Sequence, residues 1–598
     1  MPAKVQPYLL RQFKGRNGGY AENLDDRQFQ ELDNWFVKNT ALKRRRGTSR
    51  ESGIKYDGTI HGAAVHLPAG IDYKIMVGLN NAIGWIDGDE VTSLPTSSTT
   101  TISSATRIWQ MKQYKNSMYC LRDDLGVLLR SDGDSIGDTG ISAPTVALTA
   151  AEGAAGDLEA GDYEIVYTYY NSVTGAESNP SPKATVTVGA SKKINYSVIG
   201  TTTQAQVNAR KIYRSLKNQE GEWFHVLTIL DNITTTYTGD NVLLEDMGLP
   251  AESTNGVPPT SLDVFDVHQE RLFCSNGILL YFSELGLPES FASTSSLNVK
   301  SDDGYLIRAV VSFGEILLIL KQSGIYYLTG SDEQSFTVRT LHDKHGCVAT
   351  HSVAVAEGFA FWFGGDNFYL TDGNRVSAIG AVEMEDIIPD INSTDYHLMQ
   401  AEIYPEEGWY MCGIPESGAI TKWICYNYRS GDWHTMTFGA AFGCPQFLRG
   451  IPDENGKPII VGDGSAAAND GHLFRFFDPD AEDDFGTAIT CSARTKNFGF
   501  SKDDSMKFMK DVQVLVSTTS PAETVTVTLY RDDDSVAEDS ASFTTYQQKM
   551  WKRIPVANPG YPGTFLSLGF TYAGDSDFAI EGIGFKIVDL GRQAPVVT

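Results

Sequence analysis

The chain of 598 residues is poor in the features that mark membrane, secreted or metal-bound proteins. No apolar run approaches the roughly 18 residues of a membrane-spanning helix; the densest, Ile316 to Leu320, has the length of a strand. The opening Met1-Pro2-Ala3-Lys4-Val5-Gln6-Pro7 lacks the apolar heart of a signal peptide, so a soluble product of a cytoplasm is expected. Cysteine is scarce and scattered. Seven occur, at 120, 274, 347, 412, 425, 444 and 491, with no Cys-x-x-Cys pair, which argues against a disulfide framework or a zinc site and for buried reduced thiols. Basic residues are few: 48 Lys and Arg against 75 Asp and Glu give a net charge of -27. Such a chain should not grip DNA non-specifically, because phosphate binding needs cations that release counterions. The charge serves either solubility or a surface that nucleic acid passes without sticking, and charge alone does not choose between them. The nucleotide-binding Gly-x-x-x-x-Gly-Lys-Ser/Thr loop and His-Glu-x-x-His are both missing, which removes the common NTPase and zinc-hydrolase signatures.

What is present is a strand-and-turn vocabulary. With 57 Gly, 27 Tyr and 29 Phe, the chain predicts many short strands joined by tight turns, in several domains because one core rarely serves such a length. Residues 1–58 differ from the rest. They hold a Gly-rich segment (Gly15 to Gly19), a short helix predicted over Asp25 to Phe36 and a basic run, Lys43-Arg44-Arg45-Arg46. The helix reading rests on Asp25 or Asp26 as N-cap and on Phe29, Leu32 and Phe36 at helical spacing. The segment reads as an arm that packs on something else.

Residues 59–140 and 255–480 repeat one pattern, in which an apolar strand is followed by a Gly/Asn/Asp turn and then an aromatic-rich strand. Arg271 to Cys274 and Leu279 to Ser283 flank Ser275-Asn276-Gly277, and Phe359 to Phe363 and Asn367 to Thr371 flank Gly364-Gly365-Asp366. Recurrence at about 40 to 50 residues is the signature of a β-propeller, with room for six or seven blades. Between the two pieces, residues 141–254 are rich in Thr, Ala and Val. Tyr163, Ile165, Tyr167 and Tyr169 share one face there, as in an inserted β-sandwich. Residues 481–598 alternate again and read as a C-terminal sandwich. The expected fold is therefore all-β: a multi-bladed propeller with an inserted fibronectin-like sandwich and a C-terminal one.

At this point the chain resembles the tail nozzle (tail tubular) proteins of short-tailed bacteriophages. The N-terminal stretch looks like their opening pattern: Gly18-Gly19, then Asn34-Trp35, then Leu42-Lys43-Arg44-Arg45-Arg46-Gly47-Thr48. Arg271-Leu272-Phe273, Tyr281 to Glu284, Leu287 to Phe291, Leu317 to Lys321, Ile325 to Gly330 and Gly364 to Gly373 look like their recurrent blocks. The insertion, with Gly175 to Pro180 and Lys211 to Ser215, is similar to fibronectin-type sandwiches of phage structural proteins. The resemblance implies a structural virion protein rather than an enzyme. It would be a ring, typically of six copies, assembled in the host cytoplasm, set below a portal and tail adaptor, holding fibre or tip proteins and conducting DNA without specific binding. The alternative is a host-surface protein that binds or cleaves glycans.

Candidate chemistry is sparse, and no catalytic, cofactor or metal residue is assigned. His342-Asp343-Lys344-His345-Gly346-Cys347 with His351 is the densest group of metal-ligand types, but strand alternation and a Gly should scatter it along a blade edge. A Cys347 nucleophile with His345 as base meets the same objection. Glu383, Glu385 and Asp386 offer a carboxylate pair of the glycosidase kind, against the plainer reading of an acidic loop. Asp132-Gly133-Asp134 with Asp138 lacks the spacing and closing Glu of a calcium loop and reads as a polar turn. The run Lys43 to Arg46 has three readings: a nucleic-acid contact, a solvated charge cluster, or an assembly contact to acidic neighbours. The last is favoured, since arginine binds carboxylates in bidentate fashion and this chain is rich in them. Asn34, Trp35, Lys43, Arg44, Arg45 and Arg46 are accordingly the expected assembly residues.

Overall fold

The structure is a computed structural model. It describes residues 5–50, 60–67, 74–87, 90–93, 102–103, 107–133, 135–438, 446–447, 460–462, 473–484, 486–500, 505–518, 523–532, 537, 539–545, 549–554, 562–574 and 576–591. Among these the architecture is almost wholly β, and the helical elements are four short 3-10 turns. The largest recurring unit is a four-stranded sheet whose strands neighbour one another in chain order. Six such sheets occur among the described residues, starting at Ile60, Gln110, Val264, Ile307, Ala354 and Gln446. The sheet that starts at Gln446 takes its fourth strand, Ser49–Arg50, from far upstream. A seventh run of four, Ala401–Tyr404, Trp409–Glu416, Ala419–Asn427 and Trp433–Met436, opens a nine-stranded sheet.

The turns form where the sequence asks for them. Arg271–Asn276 and Leu279–Phe282 pair antiparallel around Gly277, whose φ of 62° lies in the left-handed region that glycine enters without steric cost. Phe359–Phe363 and Phe368–Thr371 pair in the same manner around the Gly364-Gly365-Asp366 turn.

By contact density the chain divides into two units, one comprising residues 65–87 and 92–344, the other residues 1–64, 88–91 and 345–598. In the first, a three-stranded and a four-stranded sheet spanning Thr149–Asp240 share one core, with Ile165, Tyr167, Ile194, Tyr196 and Ile212 at 1% exposure or less. The alternation of Tyr163, Ile165, Tyr167 and Tyr169 buries those rings and Ile165 together, as the period of a strand requires. In the second unit, the core of the C-terminal sheets includes Trp35, Leu42, Val512, Val514, Phe570 and Ile583.

The helix expected over Asp25 to Phe36 is not there. That stretch forms the strands Phe29–Asp33 and Trp35–Lys38, and a third, Ala41–Arg44, follows. The Asp25 carboxylate does not cap a helix; it accepts from Arg27 N and Nε at 3.0 Å and from Lys14 Nζ at 3.0 Å, closing a turn. The helix-like spacing has a local cause. A register shift between Phe29 and Glu31 lets Phe29 and Leu32, of opposite parity, both enter the core. Asn34, at φ 57°, then re-aims the chain so that Phe36 also points inward.

The N-terminal residues do not stand apart as an arm. Phe29–Asp33 lies between the Trp433–Met436 and Cys491–Thr495 strands of the nine-stranded sheet. Val5–Leu10 and Ala41–Arg44 both pair with Phe578–Gly591. The glycines upstream allow close approach: a Cβ on Gly15 would sit 2.5 Å from Trp433 N.

Candidate functional site

The basic run begins in the hairpin of Trp35–Lys38 and Ala41–Arg44, whose two-residue loop, Asn39 and Thr40, has φ of 52° and 64°. At its start stands Asn34. The Asn34 amide donates to Thr490 O at 2.8 Å and to Thr437 Oγ1 at 3.1 Å, while its Oδ1 accepts from Thr437 N at 3.1 Å and from Arg45 Nε at 2.6 Å. Arg45 is 1% exposed and Asp484 is fully buried. Arg45 Nη1 donates to Asp484 Oδ1 at 2.8 Å, Nη2 bonds the other carboxylate oxygen, and Nη2 also reaches Thr437 O at 2.9 Å. Burial works against the Arg45 charge, but the Asp484 carboxylate outweighs it and holds the guanidinium pKa above its ordinary value. Beside them Asp33 accepts from Thr435 and Thr437, and its burial raises its pKa.

Of the six residues expected at an assembly contact, four are therefore used inside one copy of the chain. Asn34 and Arg45 form this buried network. Trp35, fully buried, packs edge-on against Phe578 at 5.7 Å between ring centroids. Arg44 is 4% exposed and bonds Glu482 O. Lys43 and Arg46 remain at the surface, beside a cleft of about 320 Å³ whose wall also includes Lys38, Glu406, Glu407 and Asp577. Arg46 lies 3.8 Å from Asp577, and Lys38 pairs with Glu407. The bidentate recognition of a carboxylate expected of this run does occur, but the carboxylate is the chain's own Asp484. No spacing in the sequence points to that partner, which lies 439 residues away.

The other candidates are placed as follows. His345 stacks on Tyr369 and its Nδ1 lies 2.8 Å from the Tyr369 hydroxyl, while Cys347 is buried with its Sγ donating to Ala349 O at 3.2 Å. Among the described residues no three His, Cys, Asp or Glu side chains converge in a group suited to a metal ion. Asp386 pairs with Arg16, whose Nη1 donates to Glu383 O at 2.8 Å, so the acidic loop clamps the N-terminal segment. Asp132 closes a local turn by accepting from Ser135 N at 3.0 Å; Asp134 lies outside the described residues. Six of the seven cysteines are free thiols buried in the cores, and burial pushes Cys412 and Cys491 up to about 12; Cys444 lies outside the described residues. No helix among the described residues is long and apolar enough to cross a membrane.

A feature that sequence reasoning did not single out lies in the other unit. A cleft of about 360 Å³ is lined in part by Tyr114, Lys115, Arg130, Asp132, Leu287 and Glu289. Arg130 and Glu289, both largely buried, approach to 3.2 Å, and burial raises the Glu289 pKa.

No protein-family model and no curated protein matches the chain. Among solved structures it is similar to the Pan2 WD40 domain of Neurospora crassa, at 8% identity over 75% of this chain and 98% of that one, with a TM-score of 0.25. The extracellular domain of the one-component system BT4673 from B. thetaiotaomicron is similar at 10% identity over 94% and 96% of the two chains, with a TM-score of 0.20. A glycoside hydrolase is similar at 8% identity over 88% and 97%, also with a TM-score of 0.20. Likenesses this remote carry no argument about fold or activity.

Proposed function

We propose that the chain is the nozzle subunit of a short-tailed phage: a structural protein of the virion tail, not an enzyme. It assembles in the host cytoplasm into a ring, most simply of six copies, that conducts DNA and anchors an adaptor on one side and fibre or tip proteins on the other. One observation carries the reading. The blocks that resemble nozzle proteins occupy matching places in consecutive four-stranded sheets: Arg271 to Phe273 and Leu317 to Lys321 lie on second strands, and Ile325 to Thr329 lies on a third. In this reading the seven runs of four strands are the blades of one propeller, closed by Ser49–Arg50, and the Thr149–Asp240 sheets are a sandwich inserted between its second and third blades.

The channel lies between subunits, and carboxylates on its wall keep the duplex centred and mobile. Six copies would carry about -160 in formal charge, and repulsion screened over about 8 Å acts as the duplex nears the wall. Class averages of the purified protein should show a sixfold ring. A protein that stays monomeric at every stage and is absent from virions overturns the reading. So does a lumen lined mainly by Lys and Arg.

A second reading, glycan binding or cleavage at the host surface, is favoured by the cleft beside Tyr114, Arg130 and Glu289. A glycan array and a reducing-end assay on the same protein separate the two.

A further inference from the structure

The six-stranded sheet of the C-terminal region buries one face, and toward its Val5–Leu10 and Met550–Ile554 strands the other face carries exposed side chains. Ile583, Phe585, Ile587, Val512 and Val514 point into the core. The side chains between them point outward, and on that outer face the register aligns Trp551 with Leu515, Leu515 with Gly582, and Leu9 with Gly584. Trp551 is 38% exposed and lies over the two glycines: a Cβ on Gly582 would sit 3.3 Å from its ring, and one on Gly584 3.6 Å. The guanidinium of Arg11 stands 5.7 Å from the ring centroid. Leu9, Val5 and Leu590, at 57%, 47% and 52% exposure, extend the apolar area.

The charge here runs against the rest of the chain. Arg11, Lys510, Lys549, Arg553 and Lys586 gather on or beside this face, answered by Asp511, which Arg553 and Lys586 share, and by Glu581, which Lys549 takes. Lys510 and Lys586 stand directly opposite each other on adjacent strands, a like-charge pair that Asp511, shared with Arg553, relieves only in part. A chain of net charge -27 thus carries a cationic, apolar face centred on a tryptophan seated on glycine backbone. Tryptophan and arginine dominate the energetics of protein interfaces, and exposed Leu and Val have nothing to gain from a phosphate backbone.

We infer that this face docks on a second copy of the same chain, whose surface, acidic outside this sheet, is its electrostatic complement. A cationic face meeting a different, anionic surface is a heterologous contact, the kind that closes rings. The inference rests on the ring reading above and assigns the surface that would build it.

The test uses the full-length protein in sedimentation velocity near physiological salt, with thermal melts as the folding control. The wild type should form rings. Trp551→Ala and the doubly reversed Lys510→Glu/Lys586→Glu should each weaken association at least about thirtyfold, the loss typical of a hot-spot side chain, without lowering the melting temperature. If Trp551→Ala misfolds, the lysine variant decides, because both side chains are exposed. Variants that assemble like the wild type would overturn this interface while leaving the ring reading standing. A wild type that remains monomeric would overturn both. Small oligomers that need Trp551 but never close would support the interface and overturn the ring. If a fluorescent single-stranded oligonucleotide binds the wild type and not the lysine variant, with assembly unchanged, the face is a nucleic-acid platform and the inference fails.

Discussion

Asp484 neutralises Arg45 where neither side chain meets solvent, so deleting the carboxylate leaves a buried cation with no counter-charge. Breaking such a pair from one side costs roughly 3 to 5 kcal/mol, whereas replacing both partners by apolar groups of similar volume is often near neutral. Asp484→Ala should therefore lower the denaturant midpoint well beyond the double change Arg45→Met/Asp484→Leu, and equal midpoints would refute the assigned role. His434 makes a second prediction. It is buried between the rings of Trp409 and Phe36, and burial lowers its pKa from 6.5 to about 3. In the unfolded chain it takes a proton near 6.5, while in the folded chain it resists protonation down to about 3. Its contribution to stability is complete above pH 6.5 and is lost as the pH falls toward 3, at most on the order of 1.4 kcal/mol per pH unit. Denaturation of wild type and His434→Phe at several pH values should show the variant gaining relative stability as the pH drops from 6.5 to 4, and parallel curves would remove His434 as the cause. The sequence announced the basic run and its taste for carboxylates. It could not announce Asp484 or Thr437, because hydrogen-bonding partners some 400 residues apart leave no local signal.

At the scale of strands, turn chemistry was the most readable part. The Asn-Gly and Gly-Gly-Asp turns lie between the paired strands that their flanks predict, since positive φ and strand alternation are local demands. The stretch from Asp25 to Phe36 misled because bulges and left-handed residues mimic helical spacing, as with Phe29 and Leu32. Tertiary pairing decided it: isolated, the segment has capping and spacing, but in the chain its hydrogen bonds go to the strands at Trp433 and Cys491. Gly47 tests how tightly this N-terminal region is woven in. Its N–H donates to Ala481 O at 2.9 Å, its carbonyl accepts from Asp478 N at 3.1 Å, and a Cβ there would sit 2.0 Å from Asp483 O. The obstacle is backbone, which has no rotamer to move away. Gly47→Ala should cost roughly 2 kcal/mol or more, in the range of overpacked sites, and should speed proteolytic release of the N-terminal segment. An unchanged melting temperature would mean that the Asp478–Asp484 loop yields.

At the scale of the whole molecule the distribution of charge matters more than its sum. The cations in and around the basic run are largely consumed by the chain's own acids: Arg45 by Asp484, Lys38 by Glu407, Arg46 by Asp577. They are thereby withdrawn from phosphate, and a net charge of -27 opposes the approach of any polyanion. Duplex affinity requires cations that release condensed counterions, and its hallmark is a steep loss of binding with salt. The prediction is the reverse of that of an ordinary DNA-binding protein. Fluorescence anisotropy of a labelled duplex should stay at the free value even at about 20 mM salt, where screening extends beyond 20 Å and any attraction would be strongest. Charge reversal of Lys43 and Arg46 should change nothing, because the proposed channel wall would work by repulsion and not by these side chains. Duplex binding that weakens steeply with salt would show a cationic track on the surface, and DNA held by such a track would be retained in the channel where the proposed function needs it to slide.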